Sequence, residues 1–187
     1  MTLIIGAVAA NFSIIGADRR VQVGASLAGP FTPGDADKLF EVDQCSAASF
    51  GSNPPAVDVP VFVRQFAGRL LEPSSLARAL FQQVKALPDP GNFGLLVAGS
   101  GAKEPELWEV TKRGQDCVKL APNILHEREN VVGVQGEAAL PDADSMRKRV
   151  LEVLRQGCLR HPLWVGPPYE ISLIRYGQAP IITRYMS

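Results

Sequence analysis

The sequence predicts an α+β protein, a four-layer α-β-β-α sandwich of two antiparallel sheets flanked by helices. Three observations predict it. The strand-like runs cluster in meanders instead of alternating with helices. The helical patterns come as a consecutive pair and then one more. The chain has 187 residues, enough for one core and short for two, so residues 1–187 read as a single domain.

The elements follow in order. Residues 3–9 and 12–17 are short, β-branched apolar runs, and Ala10-Asn11 between them suits a tight hairpin. Residues 24–37, rich in Gly, Pro and Asp, read as a loop. Lys38 to Val42 and Cys45 to Phe50 form a second strand pair. Gly51-Ser52-Asn53-Pro54 reads as a strand-to-helix junction, with Asn53 as cap and Pro54 in the first turn. Val59, Val63, Phe66 and Leu70 recur at helical spacing, and Pro60 delays or kinks the start. Pro73-Ser74-Ser75 opens the next helix, whose apolar stripe is Leu76, Leu80 and Val84, and Pro88 to Gly91 stops it. Phe93 to Ala98, Glu106 to Val110, Asp116 to Leu120 and Val131 to Val134 read as four strands. Met146, Val150, Val153 and Leu154 mark a third helix, and Tyr169 to Tyr176 and Ile181 to Tyr185 close the chain as strands.

Composition excludes several classes. Nineteen basic and nineteen acidic residues give no net charge and no support for a nucleic-acid surface. No apolar run approaches the roughly 20 residues of a membrane span, and no basic stretch precedes the N-terminal apolar run as in a signal peptide. Three widely spaced cysteines without a C-x-x-C fit reduced thiols in the cytoplasm. His126 and His161 stand at no metal-ligand spacing, and Gly99-Ser100-Gly101 lacks the lysine of a phosphate loop, so neither metal nor cofactor is expected.

The chemistry is concentrated at the start. Thr2 is small enough for Met1 to be removed, which leaves a hydroxyl and a free amine on one Cα. A threonine hydroxyl needs a base, and an α-amine titrating near 7.7–8.0 is one. A lysine held beside it lowers the amine further by charge, and a carboxylate holds the lysine. Asp18 ends the hairpin partner of Thr2, and Lys38 begins the next strand. The N–H of Gly51 is a candidate oxyanion donor, glycine allowing close approach of substrate.

These segments resemble the proteasome β-subunit family and its bacterial relatives, including the heat-shock-locus peptidase. Thr2-Leu3-Ile4-Ile5-Gly6 is similar to the mature β-subunit start, and Gly16-Ala17-Asp18-Arg19-Arg20 to the motif around the catalytic aspartate. Lys38 with its following strand is similar to the catalytic-lysine strand, and Ala48-Ser49-Phe50-Gly51-Ser52 to the strand end whose glycine serves the oxyanion. The resemblance implies the N-terminal-nucleophile hydrolase fold and a threonine endopeptidase, with Thr2, Asp18 and Lys38 catalytic and Arg20 and Gly51 in support. It implies a specificity pocket near Val21, Ala36 and Ser49. It further implies a homo-oligomeric ring, six- or seven-fold and stacked in pairs, a polypeptide substrate, and room for an ATP-dependent unfoldase as partner.

Three supporting positions depart from the family. The serine before the third helix falls at Val134 or Gln135, and the Asp-x-x-Ser turn after that helix is replaced by Pro162 and Val165. Two alternatives therefore stand beside the peptidase: an inactive ring or scaffold protein of the same fold, and a small-substrate amidase using the same nucleophile.

Overall fold

The computed structural model describes residues 2–23, 32–51, 58–88, 92–112 and 116–187, with the backbone alone for 21–23 and 32–35. The N-terminal hairpin is β1 (Ile4–Ala9) and β2 (Phe12–Asp18), in antiparallel register from Ile4 opposite Ala17 to Ala9 opposite Phe12. Both strands are buried along their whole length, which is why each reads as a continuous apolar run and not as an alternating one.

The loop expected over 24–37 gives way to structure at both ends. Arg20–Val23 (β3) and Thr32–Asp35 (β4) pair as a two-stranded ribbon, with Val21 opposite Gly34. Pro33 and Gly34 are compatible with strand here because the ribbon joins neither five-stranded sheet, leaving edges where a missing N–H costs no ladder bond. The second hairpin is β5 (Leu39–Val42) and β6 (Cys45–Phe50).

The first helix is α1 (Val59–Arg64). Asp58 caps it by accepting from Val61 N, and Pro60 sits in the first turn, where a missing N–H is tolerated. The Asn53 cap and Pro54 lie outside the described residues. Pro73 itself opens α2 (Pro73–Ala86). The chain continues as β7 (Gly94–Ser100), β8 (Pro105–Thr111) and β9 (Val118–Lys119).

The strand expected at Val131–Val134 is instead β10 (Leu125–Arg128). Val131, Val132 and Val134 are buried, and the amides of Val132, Gly133 and Val134 bond a side chain and not a sheet partner. Then come α3 (Ala143–Arg160), β11 (Tyr169–Arg175) and β12 (Ile181–Tyr185).

Two antiparallel five-stranded sheets result, ordered β10-β1-β2-β11-β12 and β5-β6-β7-β8-β9. The first sheet packs its outer face on α3 through Leu3, Ile5, Met146, Val150 and Leu154. The second packs on α1 and α2 through Phe40, Val63, Leu76, Leu80 and Leu95. Between the sheets lie Ile4, Val8, Ile15, Leu39, Ala48, Leu96 and Leu107. Fully burying a Val, Leu, Ile, Phe or Met side chain is worth about 1.5–3 kcal/mol. The layers are therefore α-β-β-α, as the order of elements predicts.

Polar contacts also cross between the sheets. Ser46 and Ser172 share a hydroxyl hydrogen bond of 2.7 Å, the Ser13 hydroxyl donates to Gly99 O at 3.3 Å, the Ser100 hydroxyl donates to Arg175 O at 3.4 Å, and Arg128 pairs with Glu109 at 2.7 Å. Gly16 lets α3 lie close on the hairpin: a Cβ there would stand 2.3 Å from Val150 Cγ1.

Candidate active site

The hairpin register extends one pair beyond β1. Leu3 N donates to Asp18 Oδ1 at 2.9 Å, and Asp18 N donates to Leu3 O at 3.3 Å. Thr2 is thus the last residue before the sheet. By the two-residue period of a strand it falls on the face of Ile4, toward the second sheet. It is 7% exposed.

Lys38 stands directly before β5 and extends that hairpin, its carbonyl accepting from Ser49 N at 2.8 Å. Its ammonium donates to Asp18 Oδ1 at 3.1 Å and to Arg20 O at 2.5 Å. Lys38 Nζ and Leu3 N therefore converge on one carboxylate oxygen, beside the residue that follows Thr2. Asp18 Oδ2 accepts from Arg20 N at 3.1 Å. Asp18 is fully buried and Lys38 is 4% exposed, so the pair lies inside the protein and is screened little by salt.

Burial is the largest influence on the Asp18 carboxyl and pushes it above the ordinary range; the Lys38 ammonium and the Leu3 and Arg20 amides pull it back. Tyr169, opposite Asp18 in the β2–β11 register, has its hydroxyl pushed up by burial and by a hydrogen bond with the Cys158 thiol.

Arg20 engages this pair through its backbone, N–H toward Asp18 and C=O toward Lys38. Its side chain goes elsewhere, donating to Pro162 O and lying against Gly166. The turn after α3, which holds Pro162 and Val165, is thereby tied to the Asp18–Lys38 pair by a guanidinium.

Gly51 follows β6 at φ +78, and a Cβ there would stand 2.2 Å from Asn92 O, so both backbone conformation and space demand glycine. A cavity of about 360 Å³ opens beside it, lined by Phe50, Asn92, Phe93, Glu109 and Glu129 among others. Ser49 lies opposite Lys38, and Ala36 N donates to Arg19 O at 3.0 Å, so both stand beside the Asp18–Lys38 pair. Val21 lies in the ribbon, its side chain outside the described residues.

The turn after β10 carries no serine; Val134 is buried there. Buried Glu127 accepts from Val132 N at 2.5 Å, Gly133 N at 2.7 Å and Val134 N at 2.7 Å, and Gln135 Oε1 accepts from Glu127 N at 2.8 Å. Reading the sequence alone missed this carboxylate, and it missed Glu170, which accepts from Arg19 at 2.9 Å. One signal was present for Glu170: it is the lone charged residue in the mostly apolar strand pattern Tyr169 to Ile174. Among the described residues, no three His, Cys, Asp or Glu side chains form a metal-holding group, and no helix is long and apolar enough to cross a membrane.

No family model and no curated protein matches this sequence. Among solved structures, the chain is similar to the Gly-1 mutant of Anbu from Hyphomicrobium sp. strain MC1. The TM-score is 0.75 at 15% identity, covering 100% of this chain and 88% of that one. At that identity the likeness shows the fold, a proteasome-like N-terminal-nucleophile hydrolase fold.

Proposed function

We propose that this chain is a proteasome-like threonine peptidase that cleaves peptide bonds inside a ring-shaped homo-oligomer in the cytoplasm, with Thr2 as nucleophile once Met1 is removed. The observation that carries the reading is the convergence of Leu3 N, Arg20 N and Lys38 Nζ on the buried Asp18 carboxylate, one residue from Thr2.

The Thr2 hydroxyl attacks the peptide carbonyl carbon while its own α-amine takes the hydroxyl proton. The resulting oxyanion is held by the Gly51 N–H. Collapse breaks the C–N bond, and the amine passes its proton to the departing amino group. An ester on Thr2 remains. Water then attacks that ester, the amine again taking a proton; collapse breaks the acyl C–O bond, the amine returns the proton to the Thr2 oxygen, and the acid leaves. Lys38 keeps the amine unprotonated at neutral pH by its charge, and Asp18 keeps Lys38 in place. Ala36 and Ser49, with Val21, shape the side-chain pocket in this reading. The ring is six- or seven-fold and stacked, with an ATP-dependent unfoldase as the partner that feeds it.

The test uses chain prepared with Thr2 as its first residue and treated with a peptide boronate or epoxyketone, read by intact mass. The expected result is one adduct on Thr2 and none in Thr2→Ala, with peptide hydrolysis abolished in the variant. Correctly processed protein that stays unmodified overturns the peptidase. A monomer in sedimentation at micromolar concentration overturns the ring.

A second reading, a scaffold of the same fold without hydrolysis, is favoured by one feature. Val165, and Val134 in one of the two alignments that place the serine there or at Gln135, are buried apolar side chains where the resembled family has hydroxyl groups. The same adduct measurement separates the two.

A further inference from the structure

Arg19 links the strand of Asp18 to the strand of Lys38. It follows Asp18 in the chain, and its Nη1 pairs with Asp37, the residue before Lys38. The same Nη1 stands 2.9 Å from Oε1 of Glu170 on β11. Glu170 is 6% exposed, and its Oε1 also accepts from Arg184 of β12, from Nη2 at 2.6 Å and Nε at 3.0 Å. An ion chain, Arg184–Glu170–Arg19–Asp37, thus runs from the edge of the first sheet to the residue that leads into Lys38. Backbone bonds run beside it, Arg19 N to Pro168 O at 3.1 Å and Ala36 N to Arg19 O at 3.0 Å.

We propose that Arg19 is a positioning residue for Lys38, holding the start of the lysine strand against the first sheet so that the ammonium stays on Asp18 beside Thr2. The proposal rests on the peptidase reading for the task it gives Lys38. Lysine has a flexible four-carbon stem, and its head group goes where the strand start places it. Arg19 is 11% exposed in its side chain, so its pairs are partly desolvated and stronger than surface pairs. The family's hydrogen-bonding groups at 134, 162 and 165 are absent here, and this ion chain supplies the fastening from the β11–β12 side. Among the described residues, the other charged or titratable groups around the corner include Asp18 on β2, Arg20, Tyr169 on β11, Cys158 and Arg155 on α3, and Arg128 on β10 opposite Ile4.

The measurement that decides is the titration of the Thr2 α-amine. Chain beginning at Thr2 is released from a cleavable leader fusion with ¹³C-threonine, and the pH midpoint is followed by NMR. With Lys38 in place the midpoint lies below the usual 7.7–8.0 of an α-amine. If Lys38 drifts from the corner, the amine loses a neighbouring positive charge and its midpoint rises. Arg19→Ala raises it by about half a unit or more, toward the value in Lys38→Ala. Asp37→Asn, a change at a half-exposed side chain outside the core, moves it the same way and serves if Arg19→Ala does not fold. Arg19→Lys restores it, because the contacts to Asp37 and Glu170 are made by one nitrogen and a single ammonium can make them. Unshifted midpoints in Arg19→Ala and Asp37→Asn, with Lys38→Ala shifted, overturn the proposal alone. An unshifted midpoint in Lys38→Ala removes the task given to Lys38, and the role of Arg19 falls with it. Neither result depends on whether peptides are cleaved, which the boronate adduct reports separately.

Discussion

Asp18 and Glu127 are both buried carboxylates on the strands flanking β1, and both collect backbone amides. Asp18 takes those of Leu3 and Arg20; Glu127 takes those of Val132, Gly133 and Val134. The difference is Lys38. Asp18 shares its Oδ1 with an ammonium at 3.1 Å, whereas the described partners of the Glu127 carboxylate are amides alone. Amide dipoles suffice to bury a carboxylate and fasten a turn. An added ammonium contributes a full charge, and that charge acts on whatever lies beside it. Beside Asp18 lies Thr2; beside Glu127 lies a turn of two valines and a glycine. In the proposed function the first carboxylate serves chemistry, and the second fastens a turn.

The largest effect should come from breaking the charged one. Asp18→Asn leaves the Lys38 ammonium buried against a neutral group, and removing one partner of a buried pair costs about 3–5 kcal/mol. For a chain of this length each kcal/mol lowers Tm by about 2–4 °C, so the expected drop is about 10 °C. Peptide hydrolysis should fall by about 100-fold or more, the usual weight of a group that sets proton transfer. Thermal unfolding by circular dichroism and a peptide assay read the two losses. A variant within about 1 kcal/mol of the parent would mean that Lys38 is solvated, and the contrast with Glu127 would collapse.

Glu127→Gln should cost less and cost differently. The amide keeps one acceptor oxygen but turns an N–H₂ toward backbone amides, so at least one of the three bonds is lost, at about 1–3 kcal/mol. Hydrogen exchange at Val132, Gly133 and Val134 should quicken, while hydrolysis stays within a few-fold of the parent. A loss of hydrolysis matching that of Asp18→Asn would place this turn in the chemistry and erase the distinction.

The same two residues show what a sequence can disclose. The position of Asp18 is legible because it follows from short-range facts: a tight hairpin at Ala10-Asn11 places its last residue opposite the first. Lys38 was legible as the start of a strand pair with a clear apolar pattern. Glu127 is not legible, and the apolar run Val131 to Val134 predicts a strand in its place. The apolar run is real, since these residues are buried except Gly133. Its backbone, however, turns through left-handed Glu129, Asn130 and Gly133, and its amides bond a side chain five to seven residues back. Burial imposes the same apolar composition on a buried turn as on a strand, so periodicity cannot separate them. The β3–β4 ribbon was hidden for the opposite reason: Pro33 and Gly34 spell a turn, and only pairing with Gln22 and Val21 makes them a strand. Arg19, Asp37 and Glu170 needed three separate segments to meet, and no local pattern announces that.

Asp142 extends the comparison to its weakest case, a carboxylate in solvent with an amide and no buried cation. It caps α3, accepting from Ser145 N at 2.7 Å. That bond, the largest influence, holds its carboxyl below the ordinary range. Because the folded state favours the ionised form, this contribution to stability is present above the unfolded value of 3.8 and is lost as pH falls through the lower folded value. Asp142→Ala should therefore lower Tm at pH 7 by less than Glu127→Gln does, and the gap to the parent should narrow as pH drops below 4. Asp142→Asn keeps the cap but not the titration, so its Tm should be flatter than that of the parent across the same window. If the gap in Asp142→Ala persists unchanged at pH 2, the cap acts through shape and not charge. Amide capture would then have the same basis in the exposed and buried carboxylates, leaving the Lys38 ammonium as the sole electrostatic difference between the regions.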